Sequence, residues 1–158
     1  VLLLLFSAGS TRFSIRAKEI IEVLPLLELK PLLGVPEFVI GLCNYRNDFV
    51  PIIDLNLLLN KKPCQPFMTS RILMVNYPLE DGETMILGIL VEGLTESVKK
   101  NPADFSSSGI YPVDKPFLGS MIFKDEEDII HLIDIERLLS DEVRELVLKS
   151  AKMEVTNE

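Results

Sequence analysis

One stretch, Gly41 to Leu59, constrains the whole chain because it occurs twice. Leu42 and Phe49 to Ile53 are strand formers, and Asn44 to Asp48 supplies turn formers around Arg46. After Asp54 the period changes: Leu55, Leu58 and Leu59, at i, i+3 and i+4, line one face of a short helix. Gly119 to Leu139 repeats this order: an opening Gly, a charged turn, an apolar strand ending in Ile133-Asp134, then Ile135, Leu138 and Leu139 on one face. Gly41 and Gly119 lie 78 apart and Asp54 and Asp134 80 apart, and the two-residue difference is assigned to the turn, where insertions are tolerated. Upstream, Phe13 to Leu24 runs against Leu87 to Val98 at an offset of 74. Apolar residues coincide at 13/87, 15/89, 17/91, 20/94 and 24/98, and Glu22 coincides with Glu96. Two matching blocks in the same order imply an internal duplication. Each copy is roughly 60–75 residues, a size at which one core is marginal. The chain is therefore expected to fold as two small β-rich subdomains that pack on each other.

Composition narrows the function. Across 158 residues the net charge is −8, which disfavours a nucleic-acid partner and a polybasic contact with anionic lipid. The two cysteines, Cys43 and Cys64, lack metal-ligand spacing and suit a reducing compartment, so a cytoplasmic setting is expected. Val1 to Phe6 is apolar but too short to span a membrane, lacks a basic leader, and reads as the first strand. The chain opens on Val, as a trimmed start would.

In order, the sequence predicts a hairpin around Ala8 to Thr11, a tight turn at Lys18-Glu19, and a strand ended by Pro25. A proline-rich loop, Leu26 to Glu37, is expected to pack through Leu32, Leu33 and Val35, and Asn60 to Pro66 to link the halves. Arg71 to Tyr77 and Met85 to Val91 are expected to pair across Asp81-Gly82, with Glu92-Gly93 turning the chain before Leu94 to Lys99. Lys100 to Pro116 is expected to be a polar loop. Ser140 caps a helix to Lys149 whose buried face is Val143, Leu146 and Val147, and residues 151–158 are expected to form a flexible tail.

Catalytic constellations are missing from the pattern. His131, the lone histidine, falls mid-strand and reads as a tolerated residue on the less buried face. No glycine-rich phosphate loop joins a strand to a helix. Glu22 and Glu96 read as surface residues in preference to an acid-base pair, and N-capping accounts for Asp54 and Asp134. An acidic β protein with twin subdomains and no reactive cluster reads as a binding module whose strand edges and inter-barrel groove are the contact surfaces.

Gly41, Asn44, Arg46, Pro51, Asp54 and Leu55 resemble the signature hairpin of CheW-type domains, Leu87 to Leu94 resembles that family's middle strand, and Leu118-Gly119 with Ile129 to Leu139 its closing segment. The resemblance spans about Leu2 to Leu148. It implies an all-β fold with short helices: two SH3-like five-stranded β-barrel subdomains, about 13–70 and 71–139, within one domain over 1–150. It also implies a non-catalytic, cofactor-free adaptor that couples the signalling domain of a chemoreceptor (a methyl-accepting chemotaxis protein) to the regulatory domain of a CheA-type histidine kinase. Carried over by position, Arg46 is the partner-contacting turn arginine. Ile20 and Glu22 match the strand lining the receptor groove, although Ile20 fits core packing equally well. Leu94 is the counterpart of Ile20, and core packing suits it better. Asn47 stands where the family has Gly; it tolerates positive φ, so the turn is expected to survive, with Asp48 able to draw Arg46 inward. A specialised pathway, such as pilus motility or surface sensing, and a small-molecule-binding barrel are the alternatives.

Overall fold

Hairpin chemistry and strand alternation organise the fold. The computed structural model describes residues 1–65, 69–110 and 112–156, the side chains of 153–156 excepted. β1 (Leu2–Ala8) and β2 (Thr11–Arg16) form the first hairpin, and a 3-10 turn at Ala17–Glu19 leads into β3 (Ile20–Leu24). β4 (Val39–Tyr45), β5 (Asp48–Asp54) and α1 (Leu55–Asn60) make the motif hairpin and its helical turn. β6 (Arg71–Pro78) and the long β7 (Thr84–Lys99) follow, joined through Asp81 and Gly82, both at positive φ. Then come β8 (Ser106–Ser107), β9 (Met121–Asp125), β10 (Asp128–Leu132) and α2 (Asp141–Thr156).

The strands form two modules that share β7. The first runs β3-β6-β7-β5-β4 and the second β7-β1-β2-β10-β9-β8. The start of β7 pairs with β6 and with β5, and its end pairs with β1. The route β2-turn-β3 does the converse, starting beside β10 and ending beside β6. Gly93, at φ 62, and a register shift between Leu5 and Ser7 bend β7 where it changes module. The expected break at Glu92-Gly93 is thus a bend within one strand. Residue 70 is also not a boundary between subdomains: β2 belongs with the C-terminal hairpin and β3 with the middle strands, because each arm carries its partner strands across.

The pairing registers relate the two modules residue by residue. The parallel pair Ile52↔Gly88 corresponds to Leu132↔Ser14, and the antiparallel pair Met74↔Glu22 to Leu5↔Glu96. Cys43↔Val50 corresponds to Phe123↔Ile130. The offset between the two hairpins is 80 on both strands, so their turns have equal length. The two-residue difference therefore lies ahead of β9 and not in the turn, and Gly119 is not the counterpart of Gly41. Closure is repeated too: Lys30 bridges to Leu42 and Ser106 pairs with Ile122, so the coil after β3 and the short β8 close their respective modules.

The core follows the same plan. One small cluster holds Cys43, Val50, Ile52, Ile72 and Met74, and its counterpart holds Phe123, Ile130, Leu132, Leu3 and Leu5. A third and larger cluster lies between the modules, drawing Phe6, Phe13 and Ile15 together with Val75, Leu87, Ile89 and Leu138. Each fully buried aliphatic of this size contributes about 1.5–3 kcal/mol. Neither small cluster is large enough to hold a module alone, and the shared cluster is what joins them.

Several local expectations change. Leu33 is 93% exposed, while Leu32 and Val35 pack on the central cluster. Pro66 lies outside the described residues. α2 continues to Thr156, past the expected start of a tail, with Asn157 and Glu158 outside the described residues. Ser140 accepts from Val143 N–H at 3.2 Å and Val147 is fully buried, but Leu146 faces solvent. Asp54 does cap α1, accepting from Leu57 N–H at 3.1 Å, and it also accepts from Cys64 N–H at 2.8 Å. Asp134 makes no such cap bond; it pairs with Arg137 at 3.3 Å, because a 3-10 turn replaces the helix there. No helix among the described residues is long and apolar enough to cross a membrane.

Candidate functional site

A two-residue turn, Arg46-Asn47, closes the β4–β5 hairpin, with Tyr45 paired to Asp48. Both turn residues take positive φ, 52° and 67°, the conformation that matches the twist of a tight hairpin. Asn47 accepts it readily, and Arg46 is carried into it by the turn. The tip stands beside β3, and this places three side chains together.

Arg46 Nη2 lies 3.1 Å from Glu22 Oε1, and the Tyr45 hydroxyl donates to the same oxygen at 2.7 Å. The Arg46 guanidinium carbon sits 4.9 Å from the centre of the Tyr45 ring. The guanidinium thus rests on an aromatic face with its edge on a carboxylate. The Arg46 side chain is 62% exposed and that of Glu22 41%, so the pair adds at most about 1 kcal/mol to stability. Its effect is positional, holding a cation at the exposed hairpin tip. The hydrogen bond to Glu22 and, second, burial raise the Tyr45 phenol above the ordinary tyrosine range. Asp48 does not capture Arg46; Glu22 does, from the neighbouring strand.

Of the other expected site residues, Asn47 is exposed at the tip. Ile20 lies on β3 ahead of Glu22, half-buried against the central cluster, and Leu94 is half-buried against the same cluster from β7. Leu94 N–H bonds to the Thr69 carbonyl at 3.2 Å. Ile20 and Leu94 are thus each partly exposed while packing on the central cluster. Tyr45 is the member that sequence reasoning passed over. It fills an apolar slot, and the signal was its hydroxyl, which needs a partner when the ring is buried.

The counterpart of this site in the second module has different chemistry. Asp125 replaces Tyr45 and Glu126 replaces Arg46. Arg12 on β2 bridges Glu96 to Asp125, at 3.2 Å from the latter, and lies 3.5 Å from Asp128, beside a polar cavity of about 400 Å3. Glu22 and Glu96 are each engaged by an arginine of their own. His131 is half-buried with its ring 5.8 Å from Phe13. Burial and the Asp54 carboxylate push the Cys64 thiol well above its usual range, which suppresses its thiolate. Among the described residues no group of three or more His, Cys, Asp or Glu is placed to hold a metal ion. A groove of about 550 Å3 runs between α2 and the first module, walled by Phe49, Pro51, Met85, Ile86 and Leu148.

Three comparisons with known proteins bear on the family and the fold. The model of the CheW-like domain matches residues 2–143. A chemotaxis protein CheW from Klebsiella aerogenes is 25% identical over 151 residues, covering 94% of this chain and 87% of its own length. The crystal structure of the scaffolding protein TtCheW from Thermoanaerobacter tengcongensis superposes with a TM-score of 0.76 at 19% identity, covering 90% of this chain and 89% of that one. The fold is accordingly two SH3-like β subdomains with a C-terminal helix. With the family model matching nearly its whole length, the chain belongs to the CheW-like domain family.

Proposed function

We propose that this chain is a non-catalytic adaptor of a bacterial chemosensory pathway, acting in the cytoplasm, and that it couples a chemoreceptor signalling domain to the regulatory domain of a CheA-type histidine kinase. Residues 1–150 act as one domain in this role. The observation that carries the reading is a family match over residues 2–143 in a chain whose hairpin tip keeps Arg46 exposed and fixed by Glu22. A planar guanidinium held this way suits a partner carboxylate, which it can grip with two parallel bonds. Arg46, Glu22 and Asn47 form the contact at the tip. Ile20 and Leu94 act from behind it, by packing the strands that carry the contact.

The test is co-sedimentation with a chemoreceptor signalling domain and with a CheA regulatory domain from the same genome. Wild-type protein is expected to sediment with both. Arg46→Glu, which reverses the charge at an exposed position, is expected to weaken at least one interaction ten-fold or more, about 1.4 kcal/mol or above. Undiminished binding by that variant would remove Arg46 from the contact, and failure of the wild type to bind either domain would remove the adaptor reading.

A further inference from the structure

We infer that Tyr45 is a positioning residue that lets Arg46 leave Glu22 for a carboxylate on the partner without stranding Glu22. This rests on the adaptor reading and deepens it by naming the chemistry of the partner group.

The geometry carries the inference. One oxygen, Glu22 Oε1, accepts from both Arg46 Nη2, at 3.1 Å, and the Tyr45 hydroxyl, at 2.7 Å. The tyrosine bond is the shorter, and the Tyr45 side chain is anchored: the residue is 7% exposed and belongs to the core cluster of the first module. The arginine bond is the longer and comes from a side chain that is 62% exposed. When Arg46 swings outward, Glu22 keeps its bond to Tyr45 and regains water on its exposed side. Without the hydroxyl, departure of Arg46 leaves the carboxylate with neither protein donor, and that cost opposes docking. The Tyr45 ring also offers its face to the guanidinium, so Arg46 departs from a supported position.

The second module provides an internal contrast. At the position of Tyr45 it has Asp125, at the position of Arg46 it has Glu126, and its arginine, Arg12, is shared among Glu96, Asp125 and Asp128. That arginine is 26% exposed and held by three acids, so it is not available for exchange. Of the two related tips, the one with the tyrosine carries the transferable cation.

Optical titration of Tyr45, with its signal assigned by subtraction of Tyr45→Phe, reads the mechanism with no partner present. Glu22, Arg46 and Cys43 are the titratable groups that face the phenol. In Arg46→Ala, Tyr45 is expected to stay above the ordinary tyrosine range, because Glu22 remains bonded to it. In Glu22→Gln it is expected to fall back toward that range. A fall in Arg46→Ala equal to that in Glu22→Gln would show that Glu22 leaves with the arginine, and would overturn the inference.

The second measurement is the dissociation constant for the chemoreceptor signalling domain. Tyr45→Phe keeps the ring and is expected to weaken binding by a few-fold, less than the full worth of one hydrogen bond to a charged group, because the bond to Glu22 is present before docking as well as after it and only its strengthening on the departure of Arg46 is lost. In a Glu22→Gln background the same change is expected to have little effect, since no carboxylate is left to strand. An equal loss in both backgrounds, or no loss in the first, would overturn the inference. If wild-type protein binds no receptor domain, the adaptor reading fails while the titration still decides the role of Tyr45.

Discussion

Replacing Gly41 by Ala perturbs the first module at the point where it closes. Gly41 has φ 152, and a Cβ there would stand 2.6 Å from the Lys30 carbonyl oxygen and 3.1 Å from Leu29 Cβ. The obstacle is backbone, so it cannot rotate away. Lys30 and Leu42 exchange two hydrogen bonds across this contact, Lys30 N–H to Leu42 O at 2.7 Å and Leu42 N–H to Lys30 O at 2.8 Å. Holding a non-glycine residue in that conformation costs about 1–3 kcal/mol. Opening the bridge costs about 0.5–1.5 kcal/mol per hydrogen bond. The expected loss is about 2–6 kcal/mol, a large share of the roughly 5–15 kcal/mol that holds a typical domain together. Urea unfolding measures it, with a midpoint lower by about 1–3 M at the slopes typical of small proteins. Amide exchange at Leu42 and Lys30 localises it, and both amides should lose protection. Gly34→Ala is the control: φ is 78 there, but nothing lies within 4 Å of the added carbon, so only the strain applies. A Gly41→Ala variant no less stable than Gly34→Ala, or one that leaves the Leu42 amide protected, would refute the close-approach argument.

Tyr77→Phe tests the joint between modules. The fully buried hydroxyl accepts from Leu139 N–H at 3.0 Å and donates to the Glu136 carbonyl at 2.9 Å, so its removal should cost about 1–3 kcal/mol and lower the melting temperature by about 2–10 °C. Glu19→Gln tests a half-buried carboxyl. Burial raises Glu19 above the usual range, Arg16 and Lys18 oppose the rise, and its Oε2 has no hydrogen-bond partner. A carboxyl whose folded value exceeds its unfolded value takes up a proton on folding, so its contribution is greatest in acid and is lost as pH rises through the folded value. Glu19→Gln should therefore be more stable than wild type at about pH 8, with the advantage shrinking toward about pH 4; urea midpoints equally spaced at both would contradict this. Gly88→Ala drives a methyl into Ile52 Cδ1 and should cost about 1–3 kcal/mol, and Ile52→Val should relieve it, making the double variant less destabilised than the two losses combined.

The periodicities made much of this architecture legible. The repeat of Gly41 to Leu59 at Gly119 to Leu139 announced two like modules, and the 74-residue offset of Phe13 onto Leu87 anticipated which strands correspond. What the pattern did not reveal was the exchange of arms. Alternation says that a strand has a buried face but not which sheet buries it, so β2 and β3 read as neighbours in one subdomain although they serve two. The turn length was misjudged because Gly119, another glycine ahead of a strand, was aligned with Gly41, whose glycine is required by Lys30 from a distant loop. At the hairpin tip, Arg46 and Glu22 were named by motif position, and the structure brings them within 3.1 Å of each other. Tyr45 was not, since nothing in a linear pattern tells that its hydroxyl meets a carboxylate from another strand.

The adaptor role proposed for this chain is the connection of two signalling proteins. Reconstitution measures it directly: autophosphorylation of a CheA-type kinase on membranes bearing the chemoreceptor, with and without the purified protein. Kinase activity is expected to rise and to become responsive to receptor ligand when wild-type protein is added, and Arg46→Glu to fail to produce this response. Kinase activity that is indifferent to the wild-type protein would contradict it.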